Sequence, residues 1–135
     1  MRLWHQEILS KLPRQQLLGQ HRECCALRGR GWGRNHSVVN YVFQYSPNRL
    51  IAYHFLVMDE MRRRGYRPDP VWKNVSGRGS QLGEQKDWAD ENEVLEIVSF
   101  CRDNSAMVYF EHNSDYLLEC IENLLVKGID IRETS

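Results

Sequence analysis

Four stretches of this chain repeat their apolar residues at helical spacing, and three of them close on a glycine at Gly29, Gly65 or Gly128. A helix with one apolar stripe is stable only when that stripe packs against another element, so this pattern commits the chain to packed helices. The clearest stretch is Ser114 to Lys127, whose Leu117, Leu118, Ile121, Leu124 and Leu125 are expected to be buried, with Gly128 as the cap. Ser46-Pro47 starts another, with Ser46 as cap and Pro47 at the first helical position. Leu50, His54, Val57, Met58 and Met61 form its stripe, and Arg62, Arg63 and Arg64 occupy a last turn where cations suit the dipole. The first helix is expected from Pro13 to about Leu27, with Ser10 or Leu12 near its cap. Leu17, Leu18, Ala26 and Leu27 are its apolar positions, Cys24 and Cys25 its small fillers. Gly19 weakens it by about 1 kcal/mol against alanine. Asp90 to Cys101 makes a further helix on Val94, Leu95 and Val98.

Strand signals are thin. Val38 to Tyr45 is β-branched and aromatic and reads as a short strand or an extended connector; Ala106 to Phe110 reads as a strand or an extended link. Arg67 to Lys86, rich in proline, glycine and serine, reads as a long loop. The expected fold is mainly α: a single compact domain over residues 1–135, about four helices with irregular loops and room for one or two short strands.

At 135 residues the chain can bury a core without staples. It has no apolar run of membrane-spanning length, and Met1 to Lys11 lacks the features of a signal peptide, so the expected compartment is the cytoplasm, with no membrane partner. Cys24, Cys25, Cys101 and Cys120 include no Cys-x-x-Cys pair and read as reduced thiols in packed helices. Of His5, His21, His36, His54 and His112, no two share a predicted helix at metal-ligand spacing, so neither metal nor cofactor is expected, and His54 reads as a satisfied core residue.

The net charge of zero hides a division. Residues 1–80 carry fourteen Lys/Arg against five Asp/Glu, and residues 81–135 carry four against thirteen. A basic half is the footprint of a nucleic-acid face, unless the two halves simply pair with each other in the fold. Arg14, Arg22, Arg28, Arg30 and Arg34 lie on or just after the first helix, where arginine side chains and glycine-exposed amides suit phosphates. Trp32 either stacks on a base or belongs to the core. The Gly29-x-Gly31-x-Gly33 run follows a helix instead of opening one, so it is no nucleotide fingerprint, although it lets backbone approach something closely. Glu23 stands out within this basic face. Neighbouring positive charge keeps it ionised, and an ionised carboxylate beside phosphate calls for a mechanistic reason, the plain alternative being a surface ion pair with Arg22.

These residues carry a resemblance. The string Met1-Arg2-Leu3-Trp4, then Leu12, Gln15, Leu17, Leu18 and His21-Arg22-Glu23, resembles the pyrimidine-dimer DNA glycosylases of the phage endonuclease V type, and among them the short bacterial members. The similarity continues through Arg34-Asn35-His36 and Tyr45-Ser46-Pro47 to the helix ending at Gly128. It implies a DNA glycosylase with associated lyase activity. In such enzymes the amine of the first residue attacks C1′ of the damaged nucleotide, an imine forms as the base leaves, and β-elimination nicks the strand, assisted by a glutamate on the first helix. Here the catalytic pair would be the Met1 amine and Glu23, because the bulk of Arg2 normally prevents removal of Met1. His21 and Arg22 would flank the pair, and Arg2, Gln15, Arg30, Arg34 and His36 would hold the strand. Ala26 stands where the phage enzymes carry a DNA-binding arginine. The implied partner is double-stranded DNA with a lesion or abasic site, the target nucleotide turned out of the helix, with no obligate protein partner. Two alternatives stay open: a non-catalytic nucleic-acid-binding module of the same fold, and a structural domain whose acidic half docks a basic partner.

Overall fold

A computed structural model describes residues 2–34 and 38–132. Four α-helices carry the fold: α1 (Arg14–Arg28), α2 (Pro47–Arg63), α3 (Glu91–Asn104) and α4 (Ser114–Val126). Short 3-10 turns at Gln6–Lys11, Asn40–Gln44 and Pro70–Lys73 punctuate the connections. The mainly α expectation holds, with helix starts within a residue or two of where the local signals put them. Pro13 itself is the N-cap of α1, Pro47 opens α2 behind Ser46, and Asp90 and Asn113 cap α3 and α4 by accepting from Glu93 and Tyr116 backbone N–H groups.

The middle helix organises the core. α1 and α3 both pack on α2, whose Leu50, Ile51, Ala52, Tyr53, His54, Val57 and Met58 are fully buried. Among the described residues one apolar cluster runs from Leu3 and Trp4 through Leu17, Cys24 and Val98 to Leu124 and Ile131.

Neither expected strand forms. The only ladder contact among the described residues is an isolated bridge between Gly77 and Glu84. Val38 to Tyr45 curls instead into the 3-10 turn Asn40–Gln44, and its buried Val39 and Val42 are three residues apart, the repeat of that turn. With no neighbouring strand to pair with, β-branched composition does not make a sheet. Ala106 to Phe110 is an irregular link, with a bend at Val108: Gln6 donates to the Ala106 carbonyl at 2.7 Å and accepts from the Val108 N–H at 2.7 Å, doing a ladder's job with one side chain.

Some burial expectations fail. Leu118 and Leu95, placed on apolar stripes, are 60% and 45% exposed, and Ala26 is exposed as well. Two of the three glycines after α1, Gly29 and Gly31, do permit close approach, but to the chain's own backbone. A Cβ on Gly31 would lie 2.8 Å from the Ala26 carbonyl oxygen, and one on Gly29 would lie 3.2 Å from that of Arg78. Arg78 closes the loop by donating to the Arg28 and Gly29 carbonyls at 2.9 and 3.0 Å while stacking on Trp88. Trp32 packs edge-on against Phe43 and Trp88, which makes it a core-side residue.

Candidate active site

The chain start is fastened to α1 by one buried amide. Gln20 donates from Nε2 to the Arg2 carbonyl at 3.0 Å, and its Oε1 accepts from the Trp4 N–H. Tyr53 on α2 donates to the Trp4 carbonyl at 2.6 Å, and Tyr116 on α4 donates to the Leu3 carbonyl. The carbonyls of residues 2–4 therefore all accept from side chains of three helices. Sequence reasoning missed Gln20. The available signal was a glutamine at a core-facing position of α1, one turn before Glu23.

This fastening builds a polar pocket of about 260 Å³. Arg2 and Trp4 line it from the chain start, Gly19, Gln20 and Glu23 from α1, and Asn123 and Lys127 from the end of α4. Glu23 is half-buried, and Gly19 leaves room where another residue would project a side chain. The fold thus brings Arg2 and Glu23 to one cavity. Arg2 is held on the wall by an ion pair to Glu119 at 3.1 Å and lies against the Trp4 and Tyr116 rings.

The other expected residues distribute around α1. Gln15 and Arg22 are seven residues apart and both exposed, so they share the outer face, with Arg30 beyond the helix end. Arg34, also exposed, donates from Nε to the Arg30 carbonyl at 2.8 Å. Met1 and His36 lie outside the described residues. His21 goes elsewhere. It sits two residues from Glu23, about 200° around the helix, and faces α2, where its Nδ1 is 2.9 Å from His54 Nε2. It does not flank the pocket, because the helical repeat sends adjacent odd positions to opposite sides. Arg28, grouped by sequence with the phosphate-facing arginines, is fully buried. Its guanidinium donates to the carbonyls of Trp72, Asn74 and Gly77 and to His54 Nδ1, and burial lowers its pKa to about 10.

His21, Cys25 and His54 bring three ligand-type atoms within 4.8 Å of one another, a grouping across two helices that spacing on one helix does not reveal. Their hydrogen bonds assign the protons. Arg28 can only donate, so His54 Nδ1 accepts and the proton of neutral His54 sits on Nε2, which donates to His21 Nδ1. His21 then carries its proton on Nε2, 3.7 Å from Cys25 Sγ. A metal on His54 Nε2 would move that proton to Nδ1, against the guanidinium, whereas metal-bound histidines give their second N–H to an acceptor. The trio fits a hydrogen-bonded chain better than a metal centre. Burial holds both histidines below their ordinary pKa, with the nearby arginines adding to it, and burial raises the Cys25 thiol to about 11. His54 is the satisfied core residue that the sequence suggested.

A basic outer face on α1, a half-buried glutamate and a fastened chain start thus meet in one mainly helical protein. Residues 1–74 match the family described as pyrimidine dimer DNA glycosylase, more than half of the chain, and the chain belongs to that family. Membership implies DNA glycosylase activity on a DNA substrate. No curated protein and no solved structure matches the chain. Among the described residues, no helix is long and apolar enough to cross a membrane.

Proposed function

We propose that this protein is a DNA repair glycosylase with associated lyase activity, working on damaged pyrimidines through the Met1 amine and Glu23. The observation that carries this is the shared pocket: Arg2, the residue bonded to Met1, and Glu23 line the same cavity of about 260 Å³.

The chemistry follows from the groups. An α-amine has an ordinary pKa of about 7.7–8.0, so a useful fraction is neutral at neutral pH. The neutral nitrogen attacks C1′ of the extruded nucleotide, and the C1′–base bond breaks with its electron pair leaving on the base. Loss of the nitrogen proton gives the imine after ring opening. Removal of a C2′ proton then expels the 3′ phosphate, which nicks the strand. Glu23 stabilises the cationic sugar and moves protons between these steps. Arg22, Arg30 and Arg34, with Gln15, hold the duplex from the outer face of α1 and the loop after it.

Borohydride trapping on a duplex with an abasic site tests this directly. Reduction should give a covalent protein–DNA adduct, and mass spectrometry should find it on the Met1 nitrogen. A peptide tag on the N-terminus should abolish trapping and leave the fold intact. Lys127 lines the same pocket and is the side chain to compare. An adduct on any lysine, or undiminished trapping by the tagged protein, rules out Met1 as nucleophile. Binding without trapping or nicking would favour the non-catalytic module.

A further inference from the structure

Gln20 and Glu23 stand three residues apart on α1, share one face of the helix and both line the pocket. Glu23 is half-buried there, whereas Gln20 is only 2% exposed. Both ends of the Gln20 amide are used on one stretch of chain: Nε2 donates to the Arg2 carbonyl at 3.0 Å, and Oε1 accepts from the Trp4 N–H. A primary amide matched to one carbonyl and one N–H fixes the direction of the segment it holds as well as its distance, because each bond constrains an angle and a length. The pairing is braced from α2. The fully buried Tyr53 hydroxyl donates to the Trp4 carbonyl at 2.6 Å and lies 2.9 Å from Gln20 Oε1. Chain termini are ordinarily loose unless something ties them down. Here the tie comes from the same helical turn that carries Glu23.

We propose that Gln20 is a positioning residue for the imine-forming step: it fastens the start of the chain to the turn of α1 that bears Glu23, so that nucleophile and acid–base group keep a fixed separation. This rests on the function proposed above and adds to it a residue that touches neither the DNA nor the reacting atoms. A loose chain start would present its amine to C1′ at many distances and angles, and misplacement by about 1 Å costs on the order of 10²-fold in rate. Anchoring through α1 makes the separation a property of one helical turn, which small shifts of α1 against the other helices leave intact. The role needs the amide itself. A leucine at this position would lose both bonds, and a glutamate would keep the acceptor but turn a carboxylate oxygen against the Arg2 carbonyl.

The test is single-turnover imine formation, read as the rate of borohydride-trapped adduct on an abasic duplex with enzyme varied through saturation. Gln20→Leu should lower the saturating rate about a hundredfold and leave the half-saturating concentration and the affinity for undamaged duplex unchanged. The midpoint of its pH–rate profile should also stay in place, because an amide does not titrate. Tyr53→Phe keeps the ring and removes only the brace, so its saturating rate should fall about tenfold, a smaller displacement of the same segment. Val98→Ala, a buried position of α3 outside the pocket lining, is the control: it should lower the melting temperature and trap at the wild-type rate. Gln20→Leu trapping at the wild-type saturating rate overturns the assignment while the proposed function stands, and where that variant does not fold, Tyr53→Phe trapping at the wild-type rate does so. A loss confined to the half-saturating concentration overturns it too, by making Gln20 a binding residue. An equal loss of rate in Val98→Ala overturns it by tracing the effect to stability alone. A wild type that forms no adduct on its first nitrogen overturns the proposed function, and the role of Gln20 with it.

Discussion

Glu23→Gln keeps the size of the side chain and removes its charge. With a carboxylate gone from beside phosphate, DNA affinity should stay equal or improve, while strand nicking falls by ~10²-fold or more, as for loss of an acid–base group. Single-turnover nicking assays on an abasic duplex check this, and a variant that nicks at the wild-type rate removes Glu23 from the mechanism. A second residue-scale consequence concerns pH. His112 accepts from the Gln6 N–H at 3.1 Å and meets the Tyr41 hydroxyl at 2.8 Å, and burial, with His5 adding to it, lowers its pKa to about 3. His54 is also held well below its ordinary value by burial. Such histidines are neutral in the fold but take up protons when unfolded below about pH 6.5. Their contribution is therefore complete above that pH and is lost as pH falls, by about 1.4 kcal/mol per pH unit for each histidine. Urea midpoints between pH 7 and pH 5 should drop accordingly. His112→Gln should flatten that slope by about one proton, whatever the lost contacts cost in absolute stability.

At the scale of the element, α1 trades stability for room. Gly19 sits mid-helix, where glycine costs about 1 kcal/mol relative to alanine. A Cβ there would find no atom nearer than Arg22 Nη2 at 3.7 Å, so nothing in the helix packing demands the glycine. Gly19→Ala should accordingly raise stability by about 1 kcal/mol in denaturant titration. Gly19→Leu should fold as well but project its side chain into the pocket beside Glu23, and nicking should fall by at least tenfold with little change in binding to undamaged duplex. Unimpaired nicking by the leucine variant would mean that the sugar is handled elsewhere. The ends of α1, α2 and α4 were legible in the sequence because caps and the residues around proline act within a turn of themselves, whereas α3 runs on to Asn104, three residues past the expected end. Val38 to Tyr45 was not, because strand formation needs a partner strand and local composition cannot supply one.

For the whole molecule, the division of charge survives folding. Among the described residues the ion pairs that join the two halves are Arg2–Glu119 and Arg102–Asp59. Arg22, Arg30 and Arg34 make none and are exposed. α1 and α3 pack on α2, so the basic helix keeps its outer face open. Duplex affinity should fall steeply with salt, and Arg30→Ala combined with Arg34→Ala should weaken binding and flatten the log–log slope by roughly two units. Fluorescence anisotropy across a salt series measures both, and an unchanged slope would falsify the assignment of this face.

The sequence by itself determined the helices, the basic half and the family, because periodicity, capping and motif are properties of neighbouring residues. Only the tertiary structure decided what each polar side chain faces. Arg28 and Arg30 are two residues apart and equally cationic, yet one is sealed beneath the 72–77 loop by three carbonyls and the other is exposed. His21 and Glu23 are neighbours in the motif and part company in the fold, one to α2 and one to the pocket. Lys127, more than a hundred positions from Glu23, arrives at the same cavity. Burial and proximity of this kind depend on which surfaces the packed helices leave open, and no local pattern encodes them.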